Sequence, residues 1–145
     1  VRLAQDRAAR AGLTVNIRLP DDPPRLNIDP RRIRQLLINL LSNAIKFTSP
    51  GGTITITARH RADHSLALCV EDTGQGMSPE DATLALEPFG QVHRSHHGHV
   101  EGWGLGLPIA NQLAELHDGH LELESTPGKG THVRVVLPPE RVLAD

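Results

Sequence analysis

Residues 29–48 constrain the fold more than any other segment of the sequence. Asp29 is a good helix-capping residue, and Pro30 follows it at the first helical position, where a missing backbone N–H costs nothing. The apolar residues beyond them recur with helical spacing; they are Ile33, Leu36, Leu37, Leu40, Leu41, Ala44 and Ile45. The segment is predicted to form a long helix that ends near Phe47 and packs its apolar face on a second layer.

Patterns on either side of this helix predict the remaining elements. Short helices are expected over residues 1–11, from residue 78, and over residues 105–117. Strands are expected at 14–19, 25–28, 53–59, 65–71, 120–125 and 131–137, mostly joined as hairpins. Residues 88–104 are predicted to form a long loop, and the tail after Pro138 to contain no regular element.

This order of elements predicts an α+β fold. Hairpin-connected strands favour a mixed, mostly antiparallel sheet of about five strands with about three helices on one face, which is a two-layer α/β sandwich. The length of 145 residues suits a single domain spanning residues 1–145. The first residue is Val rather than Met, so we expect the sequence to be a piece of a longer chain.

Composition argues against several classes of function. Fifteen Lys and Arg stand against 17 Asp and Glu, and 2% of residues are aromatic, so no nucleic-acid partner is expected. The single cysteine, Cys69, cannot form an internal disulfide and fits a reducing compartment. No apolar run is long enough for a membrane span. We therefore expect a cytoplasmic domain, whose parent protein can still be membrane-anchored.

Three polar residues share one face of the long helix. Asn39, Asn43 and Lys46 stand at relative positions i, i+4 and i+7, beside the apolar stripe. Amide oxygens suit Mg²⁺, and an ammonium suits phosphate as a point charge. The alternative interpretation is a solvated helix face without a ligand.

A glycine-rich segment, Asp72-Thr73-Gly74-Gln75-Gly76, follows a predicted strand. An ionised carboxylate only accepts hydrogen bonds, so Asp72 suits an exocyclic amino group such as that of adenine. The glycines behind it allow a flat ligand to approach the backbone. An ordinary turn that begins with Asp is the alternative.

Two further glycine segments lie nearer the C-terminus. Residues 102–107, Gly-Trp-Gly-Leu-Gly-Leu, open a predicted helix, where backbone N–H groups and the helix dipole favour phosphate. A loop rather than a strand precedes them, which argues against a dinucleotide-binding βαβ unit. Residues 128–131, Gly-Lys-Gly-Thr, are predicted to form a hairpin turn. The turn is either a plain connection or one that directs the Thr131 hydroxyl into a nearby pocket.

Together these segments resemble the nucleotide-binding domain of sensor histidine kinases, part of the GHKL ATPase superfamily. Residues 39–48 resemble its N box, residues 72–77 its G1 box, residues 87–89 its F box and residues 102–107 its G2 box, in the family's order. The resemblance implies a Bergerat fold that binds ATP between the long helix and a lid, residues 90–103. Residues 1–11 would then be the end of a preceding helical linker.

The resemblance also implies the residues at the phosphate end of an ATP site. Asn43 would ligate Mg²⁺, and Asn39 and Lys46 would contact the phosphates or the metal shell. Gly104, Leu105 and Gly106 would lie over the phosphates.

At the base end, the resemblance implies that Asp72 accepts the adenine amino group. Gly74 and Gly76 would let the base approach, and Thr131 would support Asp72, directly or through water.

The activity implied is that of a histidine kinase catalytic domain in a two-component phosphorelay. Such a domain presents the γ-phosphate of ATP to a histidine on a separate dimerisation domain, from which the phosphoryl group passes to a response regulator receiver domain. No acceptor segment is found in this sequence, so no catalytic residue is expected here. The parent is expected to be a homodimer and the isolated domain a monomer.

Two residues bear on alternatives to this activity. Hydrolytic members of the superfamily carry a Glu one turn before the metal Asn, where this chain has Asn39. An amide cannot take a proton from water, so little intrinsic ATP hydrolysis is expected. Trp103 stands where the family usually has a small residue, which favours a pseudokinase, or regulatory nucleotide-binding module, as the alternative function.

Overall fold

The structure, a computed structural model, describes residues 2–21, 25–85 and 106–143. Its helices are α1 (Arg2–Arg10), α2 (Pro30–Phe47), α3 (Pro79–Ala85) and α4 (Gly106–Glu115). Its strands are β1 (Thr14–Arg18), β2 (Arg25–Leu26), β3 (Thr53–His60), β4 (Leu66–Asp72), β5 (His120–Thr126), β6 (Gly130–Leu137) and β7 (Val142–Leu143). Most predicted elements are present, with boundaries shifted by one or two residues.

Five strands form the main sheet of the described chain, in the order β1-β3-β4-β6-β5. The pair β1 and β3 is parallel, and the three remaining pairs are antiparallel. Helix α2 packs against α4 and β4, α4 against β5 and β6, and α3 against β5. The predicted α+β sandwich with a mixed, mostly antiparallel sheet is confirmed.

The core lies between the helices and one face of the sheet. Its largest fully buried apolar side chains come from both layers: Leu36, Leu40, Ile54, Leu107, Val135 and Leu137. Alternate residues of each strand therefore face the helices, as a half-covered antiparallel sheet requires. Within the described residues, no helix is both long and apolar enough to cross a membrane.

Helix α2 has the start that its sequence predicts. The Asp29 side chain accepts a hydrogen bond from the Arg31 N–H at 3.0 Å, and Pro30 occupies the first turn. At the other end, Thr48 is extended and its hydroxyl donates to the Ala44 carbonyl at 2.6 Å. Both ends of the helix are thus fixed by local hydrogen bonds, which sets the register of its polar face.

The opposite face of the sheet is polar. Glu122 on β5 receives hydrogen bonds from His120, Arg61 and Arg134 at 3.0–3.2 Å. These bonds, with that from His120 the largest contribution, lower the pKa of Glu122 to about 2. The neighbouring Cys69 is half-buried, and desolvation raises the pKa of its thiol.

The prediction for the C-terminal tail is wrong. A 3₁₀ helix at Pro139–Arg141 leads into β7, which pairs antiparallel with β2 in a separate two-stranded sheet. Arg141 fixes this sheet through its guanidinium, which donates to the Asn27 carbonyl at 3.1 Å and pairs with Asp118 at 3.0 Å. The partners of the tail are distant in sequence, so no local pattern indicated them.

Candidate functional site

Asp72, the last residue of β4, has a carboxylate buried beneath the loop that follows it. Its side chain Oδ1 accepts the Gly74 N–H at 2.9 Å, and the residue is 8% exposed. Burial raises the pKa of the Asp72 carboxyl, while hydrogen bonds from the backbone N–H groups of Gly74 and Thr131 oppose that shift. No Lys or Arg of the described chain forms an ion pair with it. Since a carboxylate has about four acceptor positions, it keeps the capacity to bind a donor from a ligand.

Gly74 and Gly76 shape the loop after Asp72. A Cβ on Gly74 would overlap the Phe47 carbonyl at the end of α2, and a Cβ on Gly76 would overlap the Thr126 carbonyl at the end of β5. Gly76 also has φ +70°, in the left-handed region. The structure therefore gives these glycines a role in backbone packing. Their role in the approach of a ligand stays a prediction.

Hydrogen bonds join the same loop to both neighbours. The Gln75 N–H donates to the Phe47 carbonyl at 3.2 Å, and the Gln75 carbonyl accepts the Gly128 N–H at 2.7 Å. The loop that holds Asp72 is thus fixed between the C-terminus of α2 and the β5–β6 turn.

The polar face of α2 is graded from buried to exposed. Asn43 is buried, Asn39 is half-buried and Lys46 is exposed. The side-chain nitrogens of Asn39 and Asn43 have no hydrogen-bond partner among the described residues. The Asn39 carbonyl oxygen accepts from the Gln35 amide at 2.8 Å. A buried amide donor without a partner costs about 1–3 kcal/mol, so this pair of amides favours a ligand that accepts hydrogen bonds over a plain solvated face.

Lys46 completes that face with a positive charge. Its ammonium lies 5.9 Å from the centre of the Phe47 ring, and it has no ion-pair partner among the described residues. An ammonium without a carboxylate beside two amide donors is an arrangement that suits an anionic ligand.

Thr131 lies on β6 directly opposite Asp72. Its backbone N–H interacts with the Asp72 carboxylate, and its hydroxyl lies 2.8 Å from the hydroxyl of Ser125. Ser125 was missed by sequence reasoning. Its pairing with Thr131 in the β5–β6 register is the signal that identifies it, once the hairpin is aligned.

Several predicted residues lie outside the described chain. These are the F-box residues 87–89, the predicted lid 90–103, Gly104 and Leu105. Gly106 is the first residue of α4. Among the described residues, no group of three or more His, Cys, Asp or Glu side chains is arranged to hold a metal ion.

A buried histidine joins α4 to α2 at the ends remote from Asn43. The His117 Nε2 accepts the Asp29 N–H at 3.0 Å, and its Nδ1–H donates to the Leu113 carbonyl at 2.8 Å. His117 is therefore a satisfied core histidine, and it sets the relative position of two helices that both carry predicted site residues.

The layered fold and the order of its glycine loops define a class of ATPase domains. The chain belongs to the family of histidine kinase-, DNA gyrase B-, and HSP90-like ATPases, which matches residues 28–141. The resemblance to the nucleotide-binding domain of sensor histidine kinases is thereby confirmed, and named relatives agree with it.

Three relatives illustrate the match. The non-motile and phage-resistance protein of Caulobacter vibrioides is 43% identical over 141 residues, which are 95% of this chain and 17% of that protein. The cell-division control histidine kinase PdhS of Brucella abortus is 35% identical over 153 residues, covering 100% of this chain and 15% of PdhS. The crystal structure of full-length ShkA in complex with AMPPNP is similar with a TM-score of 0.83 and 28% identity, covering 99% of this chain and 29% of ShkA. The chain thus spans less than a fifth of the length of the Caulobacter vibrioides and Brucella abortus proteins.

Proposed function

We propose that this chain binds Mg·ATP and presents its γ-phosphate for transfer to a histidine on a separate dimerisation domain of its parent protein. The observation that carries the proposal is the buried Asp72 carboxylate, which has acceptor capacity but no cationic partner among the described residues. The family membership and the AMPPNP complex of the similar ShkA structure support it.

The base end of the proposed site is built around Asp72. Its carboxylate accepts hydrogen bonds only and so selects an exocyclic amino group, as in adenine, over a carbonyl oxygen at the same position. The loop 72–77, fixed by Phe47 and Gly128, holds this acceptor in place before a ligand arrives. Such preorganisation reduces the entropy lost on binding.

The phosphate end is formed by the polar face of α2. The unpartnered amide nitrogens of Asn39 and Asn43 suit phosphate oxygens, and Lys46 supplies a positive charge. The terminal bond of an Asn side chain turns easily, so Asn43 can present its oxygen to Mg²⁺. When bound, Mg²⁺ neutralises charge on the phosphates. We assign Gly104, Leu105 and Gly106, the last of which is the first residue of α4, to the same end.

The reaction divides between this chain and the rest of its parent. Phosphoryl transfer needs mainly positioning and charge neutralisation, which the residues above provide. We assign the acceptor histidine to the parent's dimerisation domain and the next transfer to a response regulator receiver domain. We further propose that residues 1–145 act as one catalytic domain, monomeric by itself, within a homodimeric parent.

Calorimetric titration with Mg·ATP tests the proposal. The wild-type domain is expected to bind saturably, and Asp72→Asn to bind about 10- to 100-fold more weakly because it loses a charge-assisted hydrogen bond. Asp118→Asn is the matched control, since Asp118 is exposed and pairs with Arg141 away from the site. Unchanged affinity in Asp72→Asn would contradict the proposal. Tight binding without transfer to a supplied dimerisation domain would favour the pseudokinase.

A further inference from the structure

Three side chains form a continuous row across the sheet at the base end of the proposed site. Asp72 on β4 pairs with Thr131 on β6, and Thr131 pairs with Ser125 on β5. Paired residues on neighbouring strands point to the same face, with Cβ atoms about 5 Å apart. Ser125 is therefore separated from Asp72 by a single side chain.

The Ser125 hydroxyl makes three contacts. It accepts the Met77 N–H at 2.7 Å, lies 3.1 Å from the Gly130 carbonyl, and lies 2.8 Å from the Thr131 hydroxyl. A hydroxyl has one hydrogen and two acceptor positions. The carbonyl can only accept, so the hydrogen of Ser125 goes to Gly130. Thr131 must then donate to Ser125, and the three contacts are all satisfied in this one arrangement.

This arrangement fixes the Thr131 hydroxyl as a hydrogen-bond donor to Ser125. Its only hydroxyl hydrogen is directed at Ser125, so its oxygen can only accept a hydrogen bond from a ligand or a water. Thr131 is 2% exposed, so bulk water does not compete with Ser125 for that hydrogen. Two acceptors, the Asp72 carboxylate and the Thr131 oxygen, then stand side by side.

We propose that Ser125 is a positioning residue that makes the base end of the site select an amino-bearing purine over a 6-oxo purine. It acts in two ways: it holds Thr131 as an acceptor, and it holds the loop after Asp72 through the Met77 N–H. This inference rests on the proposed function, because it concerns the specificity of that nucleotide site.

Inosine triphosphate tests the inference, because its base carries an oxygen where ATP carries the amino group. Binding of Mg·ATP, Mg·ITP and Mg·tripolyphosphate is measured by calorimetry for wild type and Ser125→Ala. In the variant the freed Thr131 hydroxyl can donate to the 6-oxygen, so the preference for ATP over ITP is expected to fall about tenfold. Tripolyphosphate, which has no base, is expected to bind equally to both proteins.

Matched variants separate specificity from folding. Ser125→Thr keeps the hydroxyl and should keep the wild-type preference, and so should Thr126→Ala, which changes the neighbouring exposed residue. Thr131→Val, an apolar side chain of the same shape, removes the second acceptor and should lower the preference by itself, while Asp72 keeps its own contribution. Without a Thr131 hydroxyl to release, Ser125→Ala should lower the preference less in that background than in the wild type.

The outcomes distinguish this inference from the proposed function. A wild-type domain that binds no ATP overturns both. A wild-type domain that binds ATP, with an unchanged ATP-to-ITP preference in Ser125→Ala, overturns the inference alone. An equal weakening of all three ligands in Ser125→Ala also overturns it, since that is the effect of a purely structural residue.

Discussion

The packing role of the glycines near Asp72 is tested by Gly76→Ala. Gly76 has φ +70°, and a Cβ there would overlap the Thr126 carbonyl. The left-handed conformation costs alanine about 1–2 kcal/mol, partly offset by about 0.4–1 kcal/mol from a less flexible unfolded chain. The overlap adds roughly 1–3 kcal/mol, the usual cost of inserting atoms into a packed region. We expect a loss of about 2–4 kcal/mol in the free energy of unfolding.

Gly128→Ala is the matched control for this prediction. Gly128 has φ +79°, but no atom lies within 4 Å of the position its Cβ would take. It is therefore expected to lose about 1 kcal/mol or less. Urea denaturation followed by far-ultraviolet circular dichroism measures both values, with unchanged m expected. Equal losses in the two variants would refute the reasoning, because only Gly76 faces the Thr126 carbonyl.

Three further predictions concern the core, the open sheet face and the reaction. His117→Leu leaves the Asp29 N–H and a helix carbonyl without partners and should cost about 2–4 kcal/mol of unfolding free energy. His117→Gln, which keeps a donor and an acceptor, should lose less than half of that, and equal losses would contradict this. Glu122 has a pKa of about 2 against an ordinary 4.5, so its stabilisation is present above pH 4.5 and is lost as pH falls towards 2. At pH 6 the free energy of unfolding of Glu122→Gln should be about 1 kcal/mol lower than that of the wild type, a small difference because the group is partly exposed. The difference should vanish near pH 2, and a difference that does not change with pH would contradict this prediction. Asn39→Glu supplies a base for water and should raise ATP hydrolysis, measured as phosphate release, above that of Asn39→Gln; equal rates would contradict this role.

Features determined within a few residues could be predicted from the sequence. Asp29, Pro30 and the apolar spacing after them act locally, and the structure has α2 at Pro30–Phe47 with Asp29 as its cap. The strands of the hairpins followed from alternation, because one face of the sheet is covered by helices. These two patterns were enough to predict the layered fold.

Features that depend on distant partners could not be predicted in the same way. Ser125 meets the Met77 N–H across 48 residues, and Arg141 reaches Asn27 across 114 residues. Neither pair carries a local signal. A strand at 25–28 was expected, but its pairing with the two-residue strand β7 was not, because β7 is too short to show alternation.

Helical spacing showed which residues of α2 share a face but not how deeply each is buried. Asn39, Asn43 and Lys46 were predicted as a group, yet the structure buries Asn43 and exposes Lys46. That gradient arises from the packing of α2 against α4 and β4, which the pattern of one helix does not contain.

A crystal structure of the domain with Mg²⁺ and a non-hydrolysable ATP analogue tests the central claim most directly. We predict that the adenine amino group lies about 3 Å from the Asp72 carboxylate, a hydrogen-bond distance. We predict that the phosphates lie at the face formed by Asn39, Asn43 and Lys46. A base bound elsewhere, or phosphates remote from α2, would contradict the account.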